Sequence, residues 1–432
     1  MKHCLFALFS LITIAGLAQT QCRSFEYRQQ QLKVNPTLAQ TVAAIEQFTS
    51  RQLSEHPVAV TGGTSGSTSG TSSGGASSGS IPSLITIPVV VHILYNTNAE
   101  NISDAQVQSQ IDVLNADYQK QNADTAEIPA YYRSLAANCG FRFGLALADT
   151  NGQSTTGIIH KYTNNSYFTI DDDIKSAATG GDDGWDRDRY LNIWVGNLTG
   201  DVLGYSSVVG GAKVTDGVVV LYTAFGTMGT ATAPFNLGRT AVHEVGHWLN
   251  MIHTWGDDSC GTDLVADTPP QQGPTYGDPS GIIITCGNTP YGNLYQDYMD
   301  FTDDIGMHLF TNGQKARMLT LFVTGGFRNA LLSSTVPIDT ATGAVTTAAT
   351  EGSVSGMAIY PNPAVSLATV ELTDPACLGG LLEMYNQLGQ KVMTMRVTAL
   401  TLQLDVAGLA SGIYFIRASD GKKAAVGKLI RI

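Results

Sequence analysis

The chain has 432 residues, enough for two or three domains with cores of their own. Charged residues make up 14% of it, against the roughly 25% of an ordinary soluble protein, and the net charge is -12. That balance excludes a phosphate-tracking nucleic-acid binder, which needs a basic face, and leaves room for cation binding or attraction for basic substrates.

Residues 1–18 read as an export signal. Lys2 and His3 precede the apolar run Cys4 to Leu17, and Gly16-Leu17-Ala18 offers a small-x-small cleavage site. No later run approaches the roughly 20 apolar residues of a membrane-spanning helix. Cys22, Cys139, Cys260, Cys286 and Cys377 remain after the signal, an odd number for an oxidising compartment, so at least one thiol needs an explanation. A short segment, 19–60, is followed at 61–80 by almost pure Gly, Ser and Thr, the composition of a flexible linker.

Residues 81–332 have the size of one enzyme domain. An apolar strand is predicted at Ile85 to Leu94, then a helix capped by Ser103, with Gln106 completing a capping box. Val107, Ile111, Leu114 and Tyr118 follow at helical spacing. Strands are predicted at Phe141–Leu147, Tyr190–Val195 and Gly217–Tyr222, and a helix from about Asn236 carries the central motif. Mixed elements in this order predict an α/β or α+β domain. A second low-complexity stretch, 333–355, leads into residues 356–432, whose alternation at Leu402-Gln403-Leu404-Asp405-Val406 and punctuation by Gly and Pro predict a small all-β sandwich.

The central motif is His243-Glu244-Val245-Gly246-His247-Trp248-Leu249-Asn250-Met251-Ile252-His253. On a helix, His243 and His247 stand one turn apart on the same face, where two imidazoles can grip one zinc ion. Glu244 sits beside them, placed to take a proton from an attacking water and hand it on. Asn250 can make the left-handed stop that lets His253 swing back as third ligand. Three protein ligands leave a fourth position open, the mark of a catalytic site; a purely structural zinc site is the alternative.

These residues resemble the pappalysin family of metzincin metallopeptidases, in its bacterial secreted form. The resemblance covers about 85–330 and includes Gly181-Asp182-Asp183-Gly184-Trp185-Asp186-Arg187-Asp188-Arg189-Tyr190-Leu191-Asn192-Ile193-Trp194, Asn236-Leu237-Gly238-Arg239-Thr240, Val265-Ala266-Asp267-Thr268-Pro269 and Asp297-Tyr298-Met299-Asp300-Phe301-Thr302-Asp303-Asp304. It implies a metzincin-type domain in two lobes. Met299 would be the methionine-turn floor, and Asp304 an acid in the pocket for an arginine after the scissile bond, with a solvated surface acid as the alternative. A structural calcium held by Asp263, Asp267 and Thr268 is implied as well. So is a bond between Cys260 and Cys286; Asp278 and Gly306 stand where a second pair would be. Phe301 departs from the usual tyrosine.

Cys22-Arg23-Ser24-Phe25-Glu26-Tyr27 resembles the start of the family's pro-segments, which implies a cysteine switch at the zinc; pairing of Cys22 with Cys139 is the alternative. An enzyme cutting before arginine could process itself at Ser50-Arg51. The last domain resembles the type A sorting domain of the type IX secretion system. It carries Ile359-Tyr360-Pro361-Asn362-Pro363, Leu388-Gly389-Gln390-Lys391-Val392, Leu409-Ala410-Ser411-Gly412-Ile413-Tyr414 and Gly427-Lys428-Leu429-Ile430-Arg431; a carbohydrate- or surface-binding sandwich is the alternative. The expectation is a monomeric, secreted zinc metalloendopeptidase, exported through periplasm and outer membrane by that machinery, acting on proteins and peptides and made as a zymogen. A catalytically silent zinc-stabilised adhesin is the alternative.

Overall fold

β2 (Ile85–Tyr95), eleven residues of almost unbroken apolar sequence, is the central strand of a seven-stranded sheet and is buried on both faces. The chain is described here from a computed structural model covering residues 21–55, 81–339 and most of 357–431. The export signal and the 61–80 linker lie outside the described residues, as does 340–356. The chain divides into two compact units near Val345.

In the first unit β1 (Gln21–Cys22) leads into two helices, α1 (Ser24–Val34) and α2 (Pro36–Glu55). After β2 come α3 (Asp104–Tyr118), β3 (Phe141–Leu145), β4 (Ile158–Tyr162), β5 (Leu191–Gly196), β6 (Val202–Ser206), β7 (Val218–Leu221) and α4 (Arg239–Trp248). The strand order is β1-β6-β7-β5-β2-β3, with β4 also on β2, and β6–β7 is the antiparallel pair. β6 therefore forms the rim of the sheet, and β1 covers that rim in parallel register. The strands foreseen at Ile85, Phe141, Tyr190 and Gly217 match β2, β3, β5 and β7 to within a residue or two.

α3 packs on this sheet through Val107, Ile111, Leu114 and Tyr118, all 0% exposed. Ser103 caps it by accepting from Gln106 N at 3.2 Å. The predicted return bond from Gln106 is not made. Its amide instead reaches across to Phe225 O and Tyr222 O, because the 222–230 loop has carbonyls with no strand partner. Asn115 does similar work on the free edge of β3, where its side chain accepts from Phe143 N at 2.9 Å and donates to Phe143 O at 2.8 Å. α4 crosses the sheet, held by Tyr118 Oη donating to Val242 O and by Trp248 Nε1 donating to Asp216.

Beyond α4 lies a lower lobe of loops with β8 (Tyr276–Gly277), β9 (Phe301–Thr302) and α5 (Asn312–Leu319). The packed body runs past the boundary predicted at 332. Ile338 bridges Ala146, and Asp339 N donates to Leu145 O, which closes the outer end of β3.

The second unit has two antiparallel sheets. One comprises β10 (Met357–Tyr360), β11 (Leu367–Leu372) and β14 (Thr401–Asp405). The other comprises β12 (Leu381–Asn386), β13 (Lys391–Arg396), β15 (Gly412–Ser419) and β16 (Ala424–Arg431). Val370, Leu404, Leu382, Met384 and Ile416 from both sheets share one buried cluster, the expected sandwich. Among the described residues no helix is long and apolar enough to cross a membrane.

Asn115→Ala would leave the Phe143 N–H and C=O buried without partners. The expected loss is about 2–3 kcal/mol of unfolding free energy in urea titrations; a change under about 0.5 kcal/mol would show that water replaces the amide.

Candidate metal centre and active site

α4 begins without a cap of its own, since Gly238 has no side chain and sits at φ 78°. Asp304 supplies the cap from the lower lobe, its Oδ2 accepting from Leu237 N at 2.7 Å and Arg239 N at 3.3 Å. Arg239 ties the same turn to Tyr298 Oη, Met307 O and Asp124. At the other end Asn250 takes the left-handed stop at φ 69°, and Met251 N closes back on Gly246 O at 3.0 Å. The chain then returns His253 to the helix.

The three imidazoles meet at their Nε2 atoms, with His247 lying 3.1 Å from both His243 and His253. Each Nδ1 already faces an acceptor: Tyr298 O for His243 at 2.7 Å, Met251 O for His247 at 2.9 Å, and the Asp257 carboxylate for His253. Donation from Nδ1 leaves a lone pair on every Nε2, and three lone pairs so close repel unless a cation lies among them. Cys22 Sγ joins them, all four ligand atoms lying within 4.8 Å of one another. This set of three nitrogens and one sulfur, buried except for the part-exposed His247, fits zinc.

Burial pushes His243 and His253 down to about 3 and His247 well below the ordinary histidine value, which keeps all three neutral. Burial and the nearby Glu244 push the Cys22 thiol up; a dication at the centre acts in the opposite sense. Glu244 is fully buried, and burial raises it to about 8 against the hydrogen bonds of Ser24 and Cys22. Its Oε2 accepts from Ser24 Oγ at 2.7 Å, while Oε1 has no partner. Gly204 on β6 faces this carboxylate so closely that a Cβ there would come within 3.0 Å of Glu244 Cγ.

Met299 is fully buried beneath the helix against Gly246. The Phe301 ring stands edge-on to His253 and Trp255, with centroids 4.8 Å away in each case, so it walls the site as a packing group. Asp304 is 1% exposed and lines a pocket with Cys22, Leu203, Phe235, Thr240 and His243, not the solvated surface of the alternative reading. Burial raises its carboxyl to about 6, opposed by the two backbone N–H groups it accepts from. On the other side of the centre a second cleft is lined by Ser206, Val209, His247, Asn250 and Arg317.

Cys260 and Cys286 are disulfide-bonded, with Cα atoms 5.7 Å apart. Cys22 and Cys139 are both buried thiols, so they do not pair. The three oxygen donors named for calcium do not gather. Asp263 accepts from Thr268 Oγ1 at 2.9 and 2.8 Å, but Asp267 turns away to accept from Thr311 Oγ1 and Gly313 N at the start of α5.

Sequence reasoning missed Asp257 and Ser24. Asp257 stands four residues after His253, a spacing that could have flagged it as the partner orienting that ligand. Ser24 carries no local signal, because its contact with Glu244 spans 220 residues.

Residues 172–322 match the peptidase family described as "Pregnancy-associated plasma protein-A", and 358–432 match the "Secretion system C-terminal sorting domain". An extracellular metalloprotease of Pyricularia oryzae is 32% identical over 249 residues, covering 56% of this chain and 76% of that protein. The chain belongs to the pappalysin family of zinc metallopeptidases. Among solved structures, Tannerella forsythia promirolysin (a mutant) is similar at 41% identity and TM-score 0.63, covering 72% of this chain and 97% of that one. Mature mirolysin from the same organism, in complex with a cleaved peptide, is similar at 47% identity and TM-score 0.57, covering 58% and 97%. The protein is accordingly a metalloendopeptidase with a type IX sorting domain, exported to the cell surface or beyond. The silent-adhesin reading gives way to that membership.

Asp257→Asn keeps the size of the His253 partner but removes its charge. Zinc affinity, measured by competition with a chromophoric chelator, is expected to fall about 10–100-fold; unchanged affinity would show that Asp257 only fills space.

Proposed function

We propose that the protein is a zymogen closed by residues 21–55, and that the matured enzyme cuts peptide bonds before arginine. The observation that carries this reading is the position of Cys22 and Ser24. The thiol occupies the fourth corner of the three-histidine set, and the hydroxyl holds Glu244. Metal and base are thus blocked by β1 and the first residue of α1, and β1 also covers the rim of β6.

His243, His247 and His253 would hold a zinc ion, which would supply Lewis acidity toward the scissile carbonyl and the attacking water. Glu244 takes the proton from the attacking water through the oxygen freed when Ser24 leaves, then delivers it to the departing amine. Asp257 and the Tyr298 and Met251 carbonyls keep each imidazole in the tautomer the metal needs. The peptide adds to β6 in place of β1.

Arginine suits the Asp304 pocket because a guanidinium matches a carboxylate and pays little to leave water. With that side chain in the Asp304 pocket, beside Leu203, the residues before the scissile bond extend toward Ser206. A substrate so placed runs antiparallel to β6, opposite in direction to β1, which explains how the pro-strand fills the cleft without being cut in it. Ser50–Arg51 lies inside α2, so processing there requires the helix to unwind first.

Mass-spectrometric mapping of a mixed peptide library tests the assignments together. Full-length Cys22→Ala/Ser24→Ala, which frees both metal and base, is expected to cut faster than full-length wild type without processing, and matured Glu244→Gln to bind zinc but lose about 1,000-fold in rate. Asp304→Ala is expected to lose the arginine preference while still cutting. A Cys22→Ala/Ser24→Ala protein as latent as full-length wild type would contradict the lock at metal and base, and an arginine preference surviving in Asp304→Ala would contradict the pocket.

We retain a structural calcium in the loop after the zinc motif only with Asp263 as its buried acidic donor; Thr268 Oγ1 now donates to that carboxylate and would have to turn to join it. Adding calcium to the zinc-loaded protein is expected to raise Tm by about 4 °C or less; no shift at millimolar calcium would remove it.

A further inference from the structure

Arg317 on α5 is 1% exposed, yet the carboxylate on its guanidinium comes from outside the catalytic body. Nη1 and Nη2 donate to Glu46 Oε1 and Oε2 at 2.8 and 2.5 Å, a two-pronged pairing. Nε donates to Asn250 O at 2.9 Å, so the side chain is held by the same turn that returns His253. Glu46 lies in α2, part of the segment that maturation removes. Its carboxyl is raised by burial, but the Arg317 fork outweighs this and holds it below the usual range.

The remaining acids do not replace Glu46. Asp257 lines the same cleft, but its carboxylate is taken by His253 Nδ1. Asp263 feels the charge of Arg317, but its oxygens are held by Thr268 Oγ1 and Val265 N. Loss of α2 therefore leaves a cation facing a cleft whose walls include Ser206 on the β6 rim and the zinc ligand His247. With α2 gone the guanidinium opens on to the cleft, where its fork is shaped for a planar carboxylate.

We infer that Arg317 determines specificity in the matured enzyme, binding an acidic side chain of the substrate on the side of the scissile bond away from Asp304. Glu46 is the stand-in for that side chain in the full chain. The inference rests on the peptidase reading and on arginine entering the Asp304 pocket. Together they give the cleft opposite charges at its two ends, so the preferred peptide carries an acid before the cut and a base after it.

The test uses pairs of peptides with Arg after the cleaved bond and either Glu or Gln at each preceding position in turn. Matured wild type, Arg317→Gln and Arg317→Lys are compared by kcat/KM. Wild type is expected to favour Glu about tenfold at one position, as a charge-assisted hydrogen bond would give. Arg317→Gln should cut both members of the pair equally while keeping the preference for Arg after the bond. Arg317→Lys, with the charge but not the fork, should fall between. Equal rates for every pair in wild type, or a Glu preference that survives in Arg317→Gln, would overturn the assignment. Should Arg317→Gln fail to fold, shown by zinc content and melting, the wild-type and Lys results still decide. Matured wild type that cuts no peptide at all would overturn the peptidase reading itself, and the subsite with it.

Discussion

Three imidazole lone pairs turned on to one point are the constraint on which the rest of this molecule depends. Neutral Nε2 atoms 3.1 Å apart are tolerable only around a cation, so the fold must hold them there before the ion arrives. Much of the surrounding architecture serves that end. Asp304 and Arg239 fix the start of α4, Asn250 fixes its stop, and Tyr298, Met251 and Asp257 fix the rotation of each ring. The sheet below, through β2 and α3, supplies the rigid platform on which α4 lies.

The same constraint explains how the N-terminal segment closes the site. A centre built for a fourth ligand accepts a thiol as readily as a substrate. Cys22 reaches it because β1 pairs with the rim of β6, and Ser24 then meets Glu244 and Ser206 N in the next two residues. Some 20 residues further on, Glu46 and Thr49 engage Arg317 on α5 and Thr320 at its C-terminal end, so the segment grips the body at a second place distant in sequence from the metal ligands. Two separate attachments make accidental opening rarer than either would alone, because releasing one leaves the other to guide rebinding.

What the sequence disclosed follows from how local each feature is. His243, Glu244 and His247 fall on one helix face by spacing alone, and the stop at Asn250 follows from its tolerance of left-handed backbone. Met299, Asp304 and the Cys260–Cys286 bond were legible only through family resemblance, since nothing near them in the chain points to the metal. Gln106 shows the limit of local rules. A capping-box residue at the right spacing was drawn away by unpaired carbonyls in the 222–230 loop. β6 was hidden by its shortness and by Gly204, although that glycine is what lets the rim approach Glu244. The Glu46–Arg317 pair spans 271 residues and carries no sequence signal, so only the folded chain brings it into view.

The account's central claim is that one centre serves first as a lock and then as a catalyst. X-ray absorption at the zinc edge, on the full-length protein and again after maturation, tests it most directly. The expected result is three nitrogen ligands and one sulfur at about 2.3 Å in the full chain, with the sulfur lost and an oxygen gained on maturation. An all-nitrogen-and-oxygen shell in the full-length protein, identical before and after maturation, would contradict it.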